Sequence, residues 1–457
     1  MKRVAIAGGG ITGLSAAYYL EQARRNGAPL EWTLFEKSER LGGVIQTGQR
    51  DGYVLEAGPD SFLSAKPDAS SLCRDLGLGD QFISSKDSER KTYILVKGRL
   101  VPLPDGLEFM VPTRVWPMAT TRLFSLGAKL RMAAERFGSG TCQNGDESVG
   151  SFVRRHFGQE MVDRVAEPLL AGVYGGDAER LSMRAVLPRF VEMEREHGSL
   201  VRASLQARKA RAQSGSTPQP LFTSLRNGMQ QITDALIAAL PASSLRLRQP
   251  VTALQRDGGW KTESGEKFDH VLLAVPAPVS SSLLKPLQVE VAEMLAHIQY
   301  TSSSAVLLAC EAVELPLGFG FLVPGAEGRK LLACTFVHRK FPHRTPDNGI
   351  LLRCFFSSAR MPDLVAHSDD DLQDLAQKEL NSILGLKLQP RFMQTFRSSI
   401  AMPQYEVGHL ERVARIESLL GEMPGLQITG NSLYGIGVPD CIKSGRQAAE
   451  KIISSSG

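Results

Sequence analysis

No two of the six cysteines (Cys73, Cys142, Cys310, Cys334, Cys354 and Cys441) form a C-x-x-C pair. Their scatter offers no zinc or thioredoxin-like motif and fits thiols kept reduced. The eight histidines also lack metal-ligand spacing, so no metal is expected. No Ser-His-Asp set or carboxylate pair stands out for hydrolytic or general acid–base chemistry. Long apolar runs are missing too; none approaches the ~20 residues that span a bilayer. The chain opens directly on a short apolar run, which leaves no room for a signal peptide. A net charge of +5 over 457 residues gives no support for nucleic-acid binding, but it permits an anionic substrate or a membrane surface. The expected location is cytoplasmic, at most peripheral on the cytoplasmic face of a membrane. Composition, 42% hydrophobic and 22% charged, is that of a globular chain of two or three domains.

What the chain does have is glycine at informative places. The apolar run Val4–Ala7 breaks into Gly8-Gly9-Gly10-Ile11-Thr12-Gly13, and a helical pattern of Leu14, Ala17 and Tyr18 follows at once. A second apolar run, Trp32–Phe35, stops at Glu36. This is a β-α-β unit with Gly8, Gly10 and Gly13 at G-x-G-x-x-G spacing. Gly8 permits the tight turn, Gly10 lets the backbone approach a pyrophosphate, and Gly13 lets helix and strand pack closely. The helix N-terminus then offers unpaired N–H groups to the anion. Glu36 follows Gly13 at close to the ~20-residue spacing of an acid that bonds a ribose 2′-OH. A carboxylate there repels a 2′-phosphate, so FAD or NAD is expected rather than NADP.

Two further turns follow, Arg40-Leu41-Gly42-Gly43 and Glu56-Ala57-Gly58-Pro59, and NAD enzymes seldom carry them. Near the other end, a strand at Leu426–Ile428 runs into Gly430-Asn431, then Ile436-Gly437-Val438-Pro439 and a helix for which Asp440 is a plausible N-cap. The free N–H end of that helix is suited to stabilising negative charge on a reduced flavin.

These stretches resemble the FAD-dependent amine oxidase, phytoene desaturase and protoporphyrinogen oxidase superfamily. The resemblance implies that Gly8, Gly9, Gly10, Ile11, Thr12, Gly13, Glu36 and Lys37 meet the adenosine diphosphate half of FAD. Arg40, Gly42 and Gly43 would help hold the diphosphate. Gly58, Pro59, Asp60 and Ser61 would lie along the flavin, and Val251 would contact the adenine end. Ala274 lies in the run that returns the chain to the FAD sheet, and Gly430, Asn431, Ile436, Gly437 and Val438 belong to the closing motif. Gly98–Pro104, Gly172-Val173-Tyr174-Gly175-Gly176 and the ending Val438–Arg446 are similar to oxygen-dependent protoporphyrinogen oxidases over the whole chain. In that family a loop glycine matching Gly172 lies over the flavin at the reacting carbon.

The activity so implied is removal of six electrons from protoporphyrinogen IX, giving protoporphyrin IX, with O2 as acceptor, in haem biosynthesis. The alternative is oxidation of coproporphyrinogen III to coproporphyrin III, and a flavin amine oxidase is the more distant rival. Thr92 stands where some members carry an arginine near the first hairpin strand. Arg90, Lys91, Arg339 and Lys340 are the remaining candidates for substrate propionates. A haem-pathway enzyme and a membrane surface are further candidate partners, the latter through the basic and apolar helix at 123–137. The chain is expected to be a monomer or a homodimer.

The expected fold is α/β and α+β. A Rossmann-like FAD-binding domain is assembled from discontinuous segments 1–80, 221–280 and 415–457. A mixed-sheet substrate domain takes 81–112 and 281–414, a helical subdomain is inserted at 113–206, and 207–220 is a mobile loop. The hairpin around Lys97-Gly98, a strand at Val251–Leu254, a buried strand within 268–274 and a helix near Asp370–Leu384 are further expectations.

Overall fold

The computed structural model describes residues 1–138, 145–213 and 219–455. The strand Lys2–Ala7 lies at the centre of a five-stranded parallel sheet, ordered Leu245–Arg246, Leu30–Phe35, Lys2–Ala7, His270–Leu273 and Leu426–Ile428. Val4, Ala5 and Ile6 have no exposed surface, as a near-continuous apolar strand covered on both faces requires. On one face pack the helices Ile11–Arg25, Gln230–Ala239 and Val438–Ser454, through Leu14, Ile232, Leu236, Ile442 and Ala449. On the other pack Ala277–Leu284, Val289–Ala296 and His409–Leu420. Lys2 ties the two ends of the chain together: its Nζ donates to the carbonyls of Ile452 at 3.0 Å and Ile453 at 3.2 Å.

A second, mixed sheet has seven strands in the order Pro390–Pro403, Tyr300–Cys310, Ile350–Ser357, Ala333–Phe336, Gly320–Leu322, Thr92–Val96 and Arg99–Pro102. Only Gly320–Leu322 and Thr92–Val96 pair in parallel. The Lys97-Gly98 hairpin forms as its turn residues demand, both with positive φ. The helix Asp369–Leu384, capped by a Ser368/Asp371 capping box, covers one face of this sheet. The other face turns toward Tyr53 and Leu55 beside the parallel sheet. A third core, built from Phe152, Phe157, Met161 and Val165 among others, belongs to the helices between Val115 and Gln213.

Two expectations change. The strand expected at Val251–Leu254 runs instead from Leu254 to Arg256. Pro250 has no N–H to give, and the N–H groups of Thr252 and Ala253 donate to the Glu263 carboxylate at 3.1 and 3.4 Å, not to a neighbouring strand. The segment 207–220 is not a loop from its start, because the helix beginning at Leu200 continues to Gln213. Ala207, Arg208, Lys209, Ala210 and Arg211 are good helix formers and prolong it; residues 214–218 lie outside the described residues.

Candidate cofactor and substrate site

The glycine loop is shaped by close backbone approaches. Gly8 has φ +107°, and a Cβ there would stand 2.4 Å from the Ala274 carbonyl oxygen; a Cβ on Gly13 would stand 1.9 Å from the Gly8 oxygen. Ala274 is held in place by its N–H bond to the Ala7 oxygen at 2.8 Å. By contrast, nothing lies within 4 Å of a Cβ built on Gly10, so the space in front of that residue is open. Gly10 is also the N-cap of the first helix, with no side-chain cap and no acid in the first turn. The helix therefore presents uncompensated N–H groups, with Ile11 and buried Thr12 in its first turn, to that open space. A pyrophosphate fits this cradle.

Glu36 sits beside it. One carboxylate oxygen accepts from the Gly9 N–H at 2.7 Å, and the other accepts from the Ser38 N–H at 2.8 Å and the Ser38 hydroxyl at 2.7 Å. With about four lone-pair sites, the carboxylate keeps capacity for a ribose hydroxyl. Lys37 is exposed. The Gly42-Gly43 turn lies directly against the loop: the Gly42 N–H bonds the Gly9 oxygen at 2.8 Å, and a Cβ on Gly43 would come 3.1 Å from the Gly10 Cα. Arg40 braces the Gly42-Gly43 turn. Its guanidinium bonds the Leu41 oxygen at 3.0 Å and the Ile45 and Gly43 oxygens, and so buckles the turn. The same run of backbone extends to Gly58, whose Cβ would meet the Val44 oxygen at 2.1 Å. Val251 is buried in the core on the far side of the sheet, with Phe35.

The last helix brings a second N-terminus to the site, and the Asp440 carboxylate stands at it, 2.9 Å from a Cβ built on Gly437. Its N-cap is Gly437, not Asp440, because Pro439 fits the first turn, where no N–H is required. Asp440 falls inside that turn and pairs with Lys66 at 2.6 Å. The first and last helices pack closely: a Cβ on Gly445 would stand 2.3 Å from the Thr12 oxygen. Gly430, with φ +100°, passes Thr12 and donates its N–H to the Ser444 hydroxyl at 3.0 Å. The Asn431 oxygen accepts from the Tyr405 hydroxyl at 2.5 Å. Ile436 is half-buried and Val438 buried.

Gly172 is not in a loop. It lies in the last turn of the helix Glu167–Tyr174, which ends on Gly175 in the left-handed region. The break that the three glycines suggest falls at Gly175, and the helix is held from outside at that end. The Gln404 amide donates to the Tyr174 oxygen at 2.9 Å and the Ser357 hydroxyl to the Gly175 oxygen at 2.8 Å. Gly172 and Val173 are exposed, beside Leu322 at 3.5 Å from a Gly172 Cβ. Ala171, Leu332 and Ala333 form a small apolar cluster there with Leu322 and Phe355. Tyr174 packs edge-on to Tyr405; burial and the neighbouring Asp440 carboxylate push its phenol up to about 12. The Gly172 helix thus ends beside the start of the last helix.

The candidate propionate cations divide. Arg90 and Lys91 are exposed, and Arg339 lies 3.7 Å from Glu89. Lys340 is withdrawn from that role: it is buried and bonds both Asp60 oxygens, at 3.0 and 3.1 Å, and the Ser61 hydroxyl at 3.1 Å. Burial raises the Asp60 carboxyl, yet Lys340 and Arg353 outweigh it and hold the acid well below the usual carboxylate range. Asp60 therefore faces Lys340 with its side chain, and its backbone oxygen accepts from the Ser224 hydroxyl at 2.6 Å. Arg353 was not anticipated from the sequence. It is buried on the inner face of the seven-stranded sheet and donates to the Gly58 oxygen at 2.5 Å. A charge amid the apolar run Ile350–Phe356 is the signal that marks it.

This fold, with an open glycine cradle between two helix ends, defines a dinucleotide-binding flavoenzyme. The chain belongs to the flavin containing amine oxidoreductase family, whose model matches residues 11–453. It is a flavin-dependent oxidoreductase and its cofactor is FAD. Within the family it is 33% identical over 466 residues to the coproporphyrinogen III oxidase of Bacillus subtilis (strain 168), with 99% of this chain and 98% of that one covered. It is 28% identical over 483 residues to the chloroplastic protoporphyrinogen oxidase of Nicotiana tabacum, with 98% and 84% covered. A crystal structure of a candidate protoporphyrinogen oxidase from Exiguobacterium sp. 255-15 superposes with a TM-score of 0.87 at 32% identity, covering 99% of this chain and 98% of that one.

Proposed function

We propose that the protein oxidises a porphyrinogen to its porphyrin in haem biosynthesis, removing six electrons with O2 as the final acceptor, and that coproporphyrinogen III is its substrate. Full-length relatives at 31–34% identity that carry the name coproporphyrinogen III oxidase support that substrate. The tobacco relative favours protoporphyrinogen IX as the second reading. The observation that carries the proposal is the open helix start at Gly10, with the start of the last helix packed beside it at Thr12 and the exposed Gly172 helix ending near that second start.

FAD, when bound, supplies the hydride acceptor. The chain's own work is to bind and orient. Gly10 and the N–H groups behind it receive the diphosphate, and Glu36 receives a ribose hydroxyl. The Gly58–Ser61 turn lines the flavin, and the Gly437 helix end favours negative charge beside it. Gly172 and Val173, with Leu322 and Phe355, form an apolar wall along which a flat macrocycle slides without meeting a side chain at Gly172. Arg90 and Lys91, exposed just before the first hairpin strand, would meet the propionates.

Anaerobic mixing of the yellow protein with the four-propionate and two-propionate porphyrinogens tests this. Bleaching of the bound flavin, faster with the four-propionate substrate, is expected. Air should then restore the colour and yield porphyrin fluorescence with one peroxide per electron pair. No bleaching with either substrate overturns the proposal.

A cytoplasmic protein that touches a membrane surface is part of the same reading. Among the described residues no helix is long and apolar enough to cross a membrane. Val115, Trp116, Leu126, Leu130 and Phe137 are all exposed near Arg122, Lys129, Arg131 and Arg136, which supports an interfacial contact. Co-flotation with anionic vesicles, reduced by Trp116→Ser with Leu130→Ser, is the check; wild-type protein left at the bottom of the gradient refutes it.

A further inference from the structure

Behind the Gly58–Ser61 turn lies a buried group of five charged side chains drawn from three segments of the chain, 56–60, 340–344 and Arg353. Lys340 meets Asp60 at 3.0 Å and Arg344 meets Glu56 at 2.8 Å. Arg353 lies between these pairs and donates to the Gly58 oxygen at 2.5 Å. Glu56 is fixed further by the Met229 N–H at 2.8 Å and the Thr47 hydroxyl at 2.7 Å. Glu56, Arg344 and Arg353 are each 5% exposed or less. Glu56, Asp60, Arg344 and Arg353 border a cavity of about 10 Å³, space for a single water, and the Arg353 Nε has no hydrogen-bond partner there.

The charges do not balance. Among the described residues, three cations, Lys340, Arg344 and Arg353, face two carboxylates, Glu56 and Asp60. Burial moreover pushes the Glu56 carboxyl up, and any proton it takes enlarges the positive excess. An unpaired buried charge works against folding, and two neutral pairs would brace the turn equally well. The excess makes physical sense if something negative comes to rest beside it. The turn is one step beyond the diphosphate cradle, reached through Gly10, Gly43, Val44 and Gly58 in backbone contact.

We propose that this group is an electrostatic site for the isoalloxazine end of FAD, favouring the negative charge that end takes up on reduction and so raising the cofactor's reduction potential. The proposal rests on the reading that the flavin runs along Gly58–Ser61. Its sign is testable because the group contains charges of both kinds.

The experiment is a midpoint-potential titration of the holoenzyme with redox dyes at pH 7. Lys340→Met and Arg353→Met remove positive charge and should lower the potential; Glu56→Gln and Asp60→Asn remove negative charge and should raise it. A shift of at least tenfold in the reduction equilibrium is expected for each, about 30 mV for a two-electron couple. Lys340→Arg and Arg353→Lys keep the charge and should restore the wild-type value. If a methionine variant does not fold, Lys340→Gln against Asp60→Asn decides the sign. Yellow variants whose potentials stay put, or all move one way, overturn the proposal and leave FAD binding untouched. A wild-type protein that takes up no FAD would instead sink the reading beneath it.

Discussion

The Arg360 guanidinium meets the Glu167 carboxylate at 2.6 Å, and through that contact the helix bearing Gly172 is fastened to the seven-stranded sheet. Arg360 also donates to the oxygens of Val323 at 2.6 Å and Leu331 at 3.1 Å, while Glu167 accepts from the Gly325 N–H at 3.0 Å. The helix is thus gripped at its start by these groups and at its end by Ser357 and Gln404. A π-helical turn, Val162–Ala166, leads into it, and such turns gather at functional sites.

Arg360→Met should lower catalytic efficiency while leaving the flavin in place, because Gly172 loses its fixed height above the site. Loss of the charge-assisted bonds should also cost about 2 kcal/mol of stability. Steady-state kinetics, the flavin-to-protein ratio and a denaturant midpoint check both parts.

Gly172→Leu should retain FAD and abolish most turnover, since the branched side chain fills the space proposed for the macrocycle. Gly172→Ala should be mild: its Cβ meets Leu322 at 3.5 Å, ordinary contact. Equal rates for the leucine variant and wild type would place the substrate elsewhere.

Glu36→Ala removes the acceptor of the Gly9 and Ser38 bonds as well as the proposed ribose contact. Affinity for FAD should fall by tenfold or more, a difference of ~1.4 kcal/mol or more. Quenching of flavin fluorescence on titration into apoprotein gives the number.

Much of the dinucleotide fold was legible because its determinants are local. A four-residue apolar run, three glycines at fixed spacing and an acid after the second strand are short-range signals, and the parallel sheet follows them. The helix expected near Asp370–Leu384 forms as Asp369–Leu384, with the Ser368/Asp371 capping box at its start. The groups behind the flavin turn were not legible, since Lys340 and Asp60 are 280 residues apart and Arg353 and Gly58 295; no pattern within one segment pairs them. The glycine cluster was legible as a break, which falls at Gly175 in the left-handed region, but Gly172 itself stays in the last turn of the helix before it. The strand Pro390–Pro403 escaped because it is an edge, half-exposed and rich in Arg, Gln and Ser.

His338 gives a pH dependence. Burial pushes its imidazole down to about 4, and its Nδ1 faces the Leu351 N–H at 3.4 Å as an acceptor only while neutral. Between that value and the unfolded 6.5 the unfolded chain binds more protons. Stability should therefore climb as pH rises from about 4 to 6.5 and level off above, with this residue contributing on the order of 3 kcal/mol. His338→Asn, which keeps an acceptor but does not titrate, should flatten that part of the denaturation-versus-pH curve.

Lys2 and the helix end it bonds at Ile452 are 450 residues apart, and the strand Leu426–Ile428 completes a sheet begun by Lys2–Ala7. At ~5–20 residues per second of synthesis, the first strand waits roughly 20 to 90 seconds for its partners at the far end. Until then His270–Leu273 is an unprotected sheet edge and the apolar side of the first helix has no cover. The sheet that carries the glycine loop is accordingly complete only once residues 426–428 have been made.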